Sequence, residues 1–155
     1  MSEVDRIVDQ LDRALDGPAW HGPSIMRALH GVGATEAAAR PVADRHSIWE
    51  LVGHLSAWTR EVIGRLEGRR PRDLPPDENF PAAAEVDEAH WRRAVADLRA
   101  AHGELRRLVE DLPPERLDEA LPDPDGESWT VYATLHGLIQ HDLYHAGQIA
   151  LLRRG

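Results

Sequence analysis

The sequence predicts an all-α protein, a four-helix bundle with a long crossover between its second and third helices. Three observations lead there. Four segments repeat apolar residues at helical spacing, each is bounded by capping or helix-breaking residues, and no segment alternates apolar and polar positions with β-branched enrichment, so strands have little support. With 155 residues, 42% hydrophobic and 29% charged, the chain suits one compact domain, taken as 1–155.

The first helix is read in "SEVDRIVDQLDRALDG", where Val4, Ile7, Val8, Leu11 and Leu15 share a stripe. Ser2 and Asp5 are spaced as a capping box, and Gly17 with Pro18 forms the stop. "WHGPSIMRALHG" follows as a loop turning into a short helix with Ser24 as its N-cap. The second long helix is "SIWELVGHLSAWTREVIGRLEG", opened by a Ser47–Glu50 capping box, striped by Ile48, Leu51, Val52, Leu55, Trp58, Val62 and Leu66, and ended by Gly68. The stretch "RRPRDLPPDENFPAAAEV" is rich in Pro and charge and reads as a crossover of low structural content. Helix three starts near Asp87 and runs through Trp91, Val95, Leu98, His102, Leu105, Val109 and Leu112 until a Pro pair stops it. A second Pro-rich loop, "PPERLDEALPDPDGES", leads to helix four, from about Trp129 to Arg153.

Composition narrows the function. No apolar run approaches the roughly 20 residues that span a bilayer, and the start "MSEVDRIVDQ" is polar and acidic rather than basic and then apolar. A cytoplasmic protein without a membrane partner is expected. The net charge of −9 opposes the basic surface that a phosphate backbone requires, so nucleic acid is not expected as a partner. There is no cysteine, which excludes disulfides, thiolate ligands and a Cys nucleophile. Any thiol chemistry would need a thiol from outside. All 18 basic residues are Arg, which reflects genomic bias and carries no functional weight.

The histidines offer the chemistry. In helix four the apolar stripe is Val131, Leu135, Leu138, Ile149 and Leu152; His145 falls inside its edge and His141 just beyond it. An i, i+4 pair can bind one ion together, and His54, on the flank of the helix-two stripe beside Leu51 and Trp58, offers a third nitrogen. Spacing leaves two readings open: a three-histidine metal site, or half-exposed, hydrogen-bonded histidines of the kind that nine in one chain produce by chance. A zinc-protease motif is not matched, because Asp142 rather than Glu follows the first histidine.

"HSIWELVGHLSAW", the later "SWTVYATLHGLIQHDLYHAGQIALLRR" and "AWHGPS" near the start resemble the DinB/YfiT-like superfamily of small four-helix proteins over nearly the whole chain. The resemblance implies a metal triad on His54, His141 and His145, holding a divalent ion, zinc or nickel among others, with positions left open to water.

Around that triad the residues have alternative roles. Asp142 projects toward the centre of the helix-four stripe, where a lone carboxylate needs partners. It either fixes a ligand imidazole's tautomer or makes a buried cap or inter-helix hydrogen bond. Gln148 and Tyr144 lie near the histidine face and could support the site or touch a substrate, or be ordinary packing and surface residues. His102, mid-stripe on helix three, is a reserve ligand or a satisfied core histidine. His21 and Ser24 belong to the resemblance, but their spacing assigns them no chemistry, and His30, His46, His90 and His136 read as surface or helix-end residues.

Several relatives in the superfamily resemble transferases or isomerases that depend on low-molecular-weight thiols. The expected function is therefore divalent-metal binding and a thiol S-transferase activity on small electrophiles, with no residue assigned as catalytic. The alternatives are a non-catalytic metal or small-molecule binding scaffold and a metal-dependent hydrolase. The expected partner is a small-molecule substrate, with a low-molecular-weight thiol as the co-substrate, and a homodimer is left open as the assembly.

Overall fold

The structure, a computed structural model, describes residues 1–153; the last two residues of the expected domain lie outside the described part. The protein is mostly helical. Helices α1 (Glu3–Leu15), α2 (Ile25–Leu29), α3 (Ala34–Ala38), α4 (Ile48–Leu66), α5 (Pro76–Asn79), α6 (Glu88–Glu110) and α7 (Val131–Leu152) are joined by loops, a 3-10 turn at Pro114–Asp118, and two short strands, β1 (Ala120–Pro122) and β2 (Ser128–Thr130). The four long helices are those the periodicity predicts. α4 packs against α6 and α7, and α1 packs against the same two.

Local chemistry sets the helix starts. Ser2 with Asp5 and Ser47 with Glu50 form reciprocal capping boxes at α1 and α4. Asp87 caps α6 through the His90 amide, and Thr130 caps α7 through that of Ala133. The last of these corrects the expected start of α7: Trp129 belongs to β2, and the helix begins two residues later.

The antiparallel hairpin is the main departure from the expected all-α architecture. It pairs Leu121 with Trp129 and turns through Gly126 at φ +90°, a left-handed conformation that glycine adopts without strain. Strands of three residues, one ending in Pro122, are too short to show a period of two. The crossover between α4 and α6 is also more ordered than expected, since it contains α5.

The interior consists of two apolar clusters stacked along the helices. One joins α1, the C-terminal halves of α4 and α6 and the N-terminal half of α7, around Ile7, Val62, Leu105 and Leu135. The other joins α2 and α3 with the N-terminal halves of α4 and α6 and the C-terminal half of α7, around Ile25, Leu55, Leu98 and Ile149. Between these levels lie buried polar side chains: His54 on α4, His102 between Leu98 and Leu105 on α6, and Asp142 and His145 on α7. Burying polar groups is unfavourable unless they are paired, so this layer asks what they do there.

Candidate metal centre

Two helices bring the three expected histidines together. His54 Nε2 lies 2.9 Å from His141 Nε2, which in turn lies 3.1 Å from His145 Nε2. Two nitrogens that share a zinc ion at about 2.0–2.1 Å each cannot be more than about 4.2 Å apart, and both pairs fall inside that limit.

The outer nitrogens fix which way two of the rings face. His54 Nδ1 donates to the backbone carbonyl of Asn79 at 2.8 Å, and His145 Nδ1 donates to Gln148 Oε1 at 2.6 Å. Both acceptors are oxygens that cannot donate, so each ring carries its proton on Nδ1 and presents the Nε2 lone pair inward. His141 Nε2 can give a proton to only one of them. A cation at the meeting point would satisfy all three nitrogens, and the residues therefore fit a divalent ion.

Protonation points the same way. Burial, against the opposing effect of the Asn79 carbonyl, pushes the His54 imidazole down to about 4. Burial likewise lowers His145, with the His141 ring adding to the effect and Gln148 opposing it. Both are neutral near pH 7, the form that binds a metal.

Behind the triad, Asp142 is fully buried. Burial alone would raise its pKa, but His102 and His141 outweigh it and hold the carboxyl below its ordinary value. Asp142 Oδ2 is 3.2 Å from His102 Nε2 and Oδ1 is 3.8 Å from His141 Nδ1. The first is within range but misaligned, and the second is too long for a hydrogen bond. Both carboxylate oxygens, His102 Nε2 and His141 Nδ1 are buried without a directed hydrogen bond. The hydrogen bond expected at Asp142 is thus replaced by electrostatic contact, and His102, the reserve ligand of the sequence, faces the carboxylate instead of joining the triad.

The other expected residues divide. Gln148 holds a ring and Tyr144 stands 65% exposed with its ring edge-on to His145, 5.1 Å between centroids. His21 is exposed, and Ser24 is the buried N-cap of α2; neither reaches the triad.

Two contributors escape a reading of the sequence. Besides its carbonyl on His54, Asn79 accepts from Trp58 Nε1 through its side-chain oxygen at 3.0 Å. Phe80 stacks flat on His54 at 4.0 Å between centroids, and on its other neighbour His46 at 3.6 Å. Both belong to the crossover, whose only sequence signal is a lone aromatic residue in a polar run.

His54 and His145 are buried, whereas the His141 side chain remains 29% exposed, and beside it opens a cleft of about 600 Å³ walled by α4, α7 and the hairpin. Of the three histidines, His141 is the one that lines this cleft. Among the described residues, no helix is long and apolar enough to cross a membrane.

Comparison with known proteins agrees with the fold. A conserved protein from Enterococcus faecalis, known from its crystal structure, superposes with a TM-score of 0.75 at 20% identity, covering 99% of this chain and 96% of the other. No match is found among curated proteins. The family model described as the DinB superfamily matches residues 20–149, which include all three histidines, and the chain belongs to that superfamily.

Proposed function

We propose that the chain is a four-helix bundle holding one divalent ion, zinc or nickel, on His54, His141 and His145, and that it acts as a thiol S-transferase on small electrophiles. The observation that carries the reading is the convergence of three imidazole nitrogens, with the His141 side chain part-exposed at the edge of a cleft. A divalent ion there supplies Lewis acidity, which makes an external thiol available as thiolate at neutral pH. The chain supplies no thiol of its own.

The residues have separate tasks in this reaction. Asn79 and Gln148 hold two rings in the ligating tautomer, and the buried Asp142 carboxylate biases the third. Phe80 stacks on the His54 ring and Trp58 stands edge-on to His141, giving the site an apolar flank. In the transfer the thiolate sulfur forms a bond to the electrophilic carbon, the leaving group departs with the electron pair of its own bond, and the thiol proton goes to solvent.

The test uses protein purified without an affinity tag, metal analysis, and a panel of low-molecular-weight thiols with 1-chloro-2,4-dinitrobenzene. His54→Ala should lose both bound metal and thiol-dependent turnover, because two imidazoles hold zinc too weakly to compete with buffer. Full turnover by metal-free His54→Ala would rule out the metalloenzyme. Metal retention with no thiol-dependent reaction would leave a binding scaffold, and ester cleavage without thiol would make it a hydrolase.

A further inference from the structure

We propose that the outer face of α7, flanked by Trp20 and Trp129, packs against the same face of a second copy of this chain, the two α7 helices running antiparallel across a two-fold axis. The proposal stands whatever the triad holds. A helix that is apolar or uncharged on every side is ordinarily buried. In α7 the only acidic or Arg residue between Val131 and Leu152 is Asp142, which is fully buried. The exposed residues of the helix, Tyr132, Gly137, Gln140, Tyr144, Gly147 and Leu151, carry no charge. They share an arc of about 140° at roughly 100° per residue. The outer faces of α1 and α6 are the contrast, exposing Asp5, Arg6 and Asp12 on the one and Arg93, Asp97 and Glu104 on the other. This chain does not enclose α7, and among the described residues no helix is long and apolar enough to cross a membrane.

Aromatic side chains extend the face on both flanks. Trp20 shares a groove with Leu143 on the α1 side, and Trp129 shares the cleft beside His141 with Ala133 and Gln140. Trp20 is 102% exposed, Tyr144 65%, Trp129 52% and Tyr132 43%. At about 200 Å² for a full aromatic side chain, these four present roughly 500 Å². With Leu151 a further 71% exposed, the face approaches the ~800 Å² per partner of a standard interface. Trp and Tyr are also the residues that interface cores concentrate.

Charge and shape select a second copy as the occupant. The chain carries a net charge of −9, so two copies repel over most of their surfaces, and the α7 face offers an approach that buries no like charges. A face that pairs with itself must match residues equidistant from the axis. About a centre level with Asp142, Gln140 of one copy meets Tyr144 of the other, and Ala133 meets Leu151, a smaller side chain opposite a larger one each time. Ala133 and Gln140 also line the cleft beside His141, so the second copy adds its own Tyr144 and Leu151 to the mouth of that cleft.

Sedimentation equilibrium of the full chain across the micromolar range should give a mass twice that of the chain. Gln140→Arg and Leu151→Arg each enter the interface twice and set an unpaired charge against the facing copy, so each should weaken association by at least about a hundredfold. Both positions are exposed, and helicity should not change. Ala100→Arg, the same kind of change on the outer face of α6, should leave association unaltered. The register has its own test, because the chain has no cysteine. Oxidising a mixture of Gln140→Cys and Tyr144→Cys proteins should form the crossed disulfide dimer in preference to either self-linked one. A chain that stays monomeric at every concentration, whether or not it binds neutral lipid vesicles or another protein, overturns the proposal. So does a dimer that survives both arginine variants, or one in which the crossed disulfide is not preferred.

Discussion

At the level of single residues, an imidazole becomes a ligand through what its outer nitrogen touches. His54 gives its Nδ1 proton to a carbonyl and is pushed by burial from 6.5 to about 4. Between those values the unfolded chain binds a proton that the folded chain refuses, so stability falls as pH drops from about 6.5 to about 4. Above that window His54 contributes no pH dependence. The depression corresponds to at most about 3 kcal/mol. Urea unfolding of metal-free protein between pH 7.5 and 4 should show this loss, and His54→Ala should flatten it. An equal slope in the variant would mean that His54 is not the refused site. Asp142→Asn tests the neighbouring carboxylate: all three ligands survive, and metal affinity should fall by roughly 10 to 100-fold in a chelator competition. Unchanged affinity would reduce Asp142 to a packing residue. The histidines were legible because 3.6-residue periodicity places i, i+4 side chains on one face whatever the rest of the fold does. Asn79 and Phe80 were not, because their contacts depend on where an aperiodic segment settles.

Elements show the same division. The capping boxes and stripes announced α1, α4, α6 and α7, since their causes lie within a few residues of sequence. The crossover and the hairpin are set by tertiary contacts instead. A Cβ on Gly53 would collide with Pro81 Cγ, so the chain can lie against α4 only where that helix has no side chain. This close approach holds α5 and Phe80 beside His54. Gly53→Ala should push Pro81 away, weaken metal binding, and change overall stability little. Overpacking costs about 1–3 kcal/mol, while alanine returns about 1 kcal/mol of helix propensity. Melting temperature and zinc affinity measured on one preparation separate the effects. Tight zinc binding in a destabilised Gly53→Ala protein would show that the crossover does not position the centre.

The whole molecule keeps a polar layer where two apolar clusters could have been one. Leu98 and Leu105 flank His102 on α6, Ile139 and Ala146 flank Asp142 on α7, and all four neighbours are buried. Continuing the stripes through both positions would cost the fold little, because replacing buried polar groups that lack directed hydrogen bonds by apolar residues of similar volume removes their desolvation cost. The pair is a candidate for retention through function. His102→Leu/Asp142→Leu should therefore fold with undiminished helicity and raise the urea midpoint of the metal-free protein, while its metal affinity falls at least as far as in Asp142→Asn. Asp142→Leu alone should do worse than the double variant, since it leaves His102 buried opposite an apolar side chain. The comparison separates two reasons for a polar core. A double variant that loses several kcal/mol would make the layer part of the architecture, with the metal exploiting it. A stabilised double variant with a weakened centre would mean that the fold gives up stability at this level to hold the third imidazole in place.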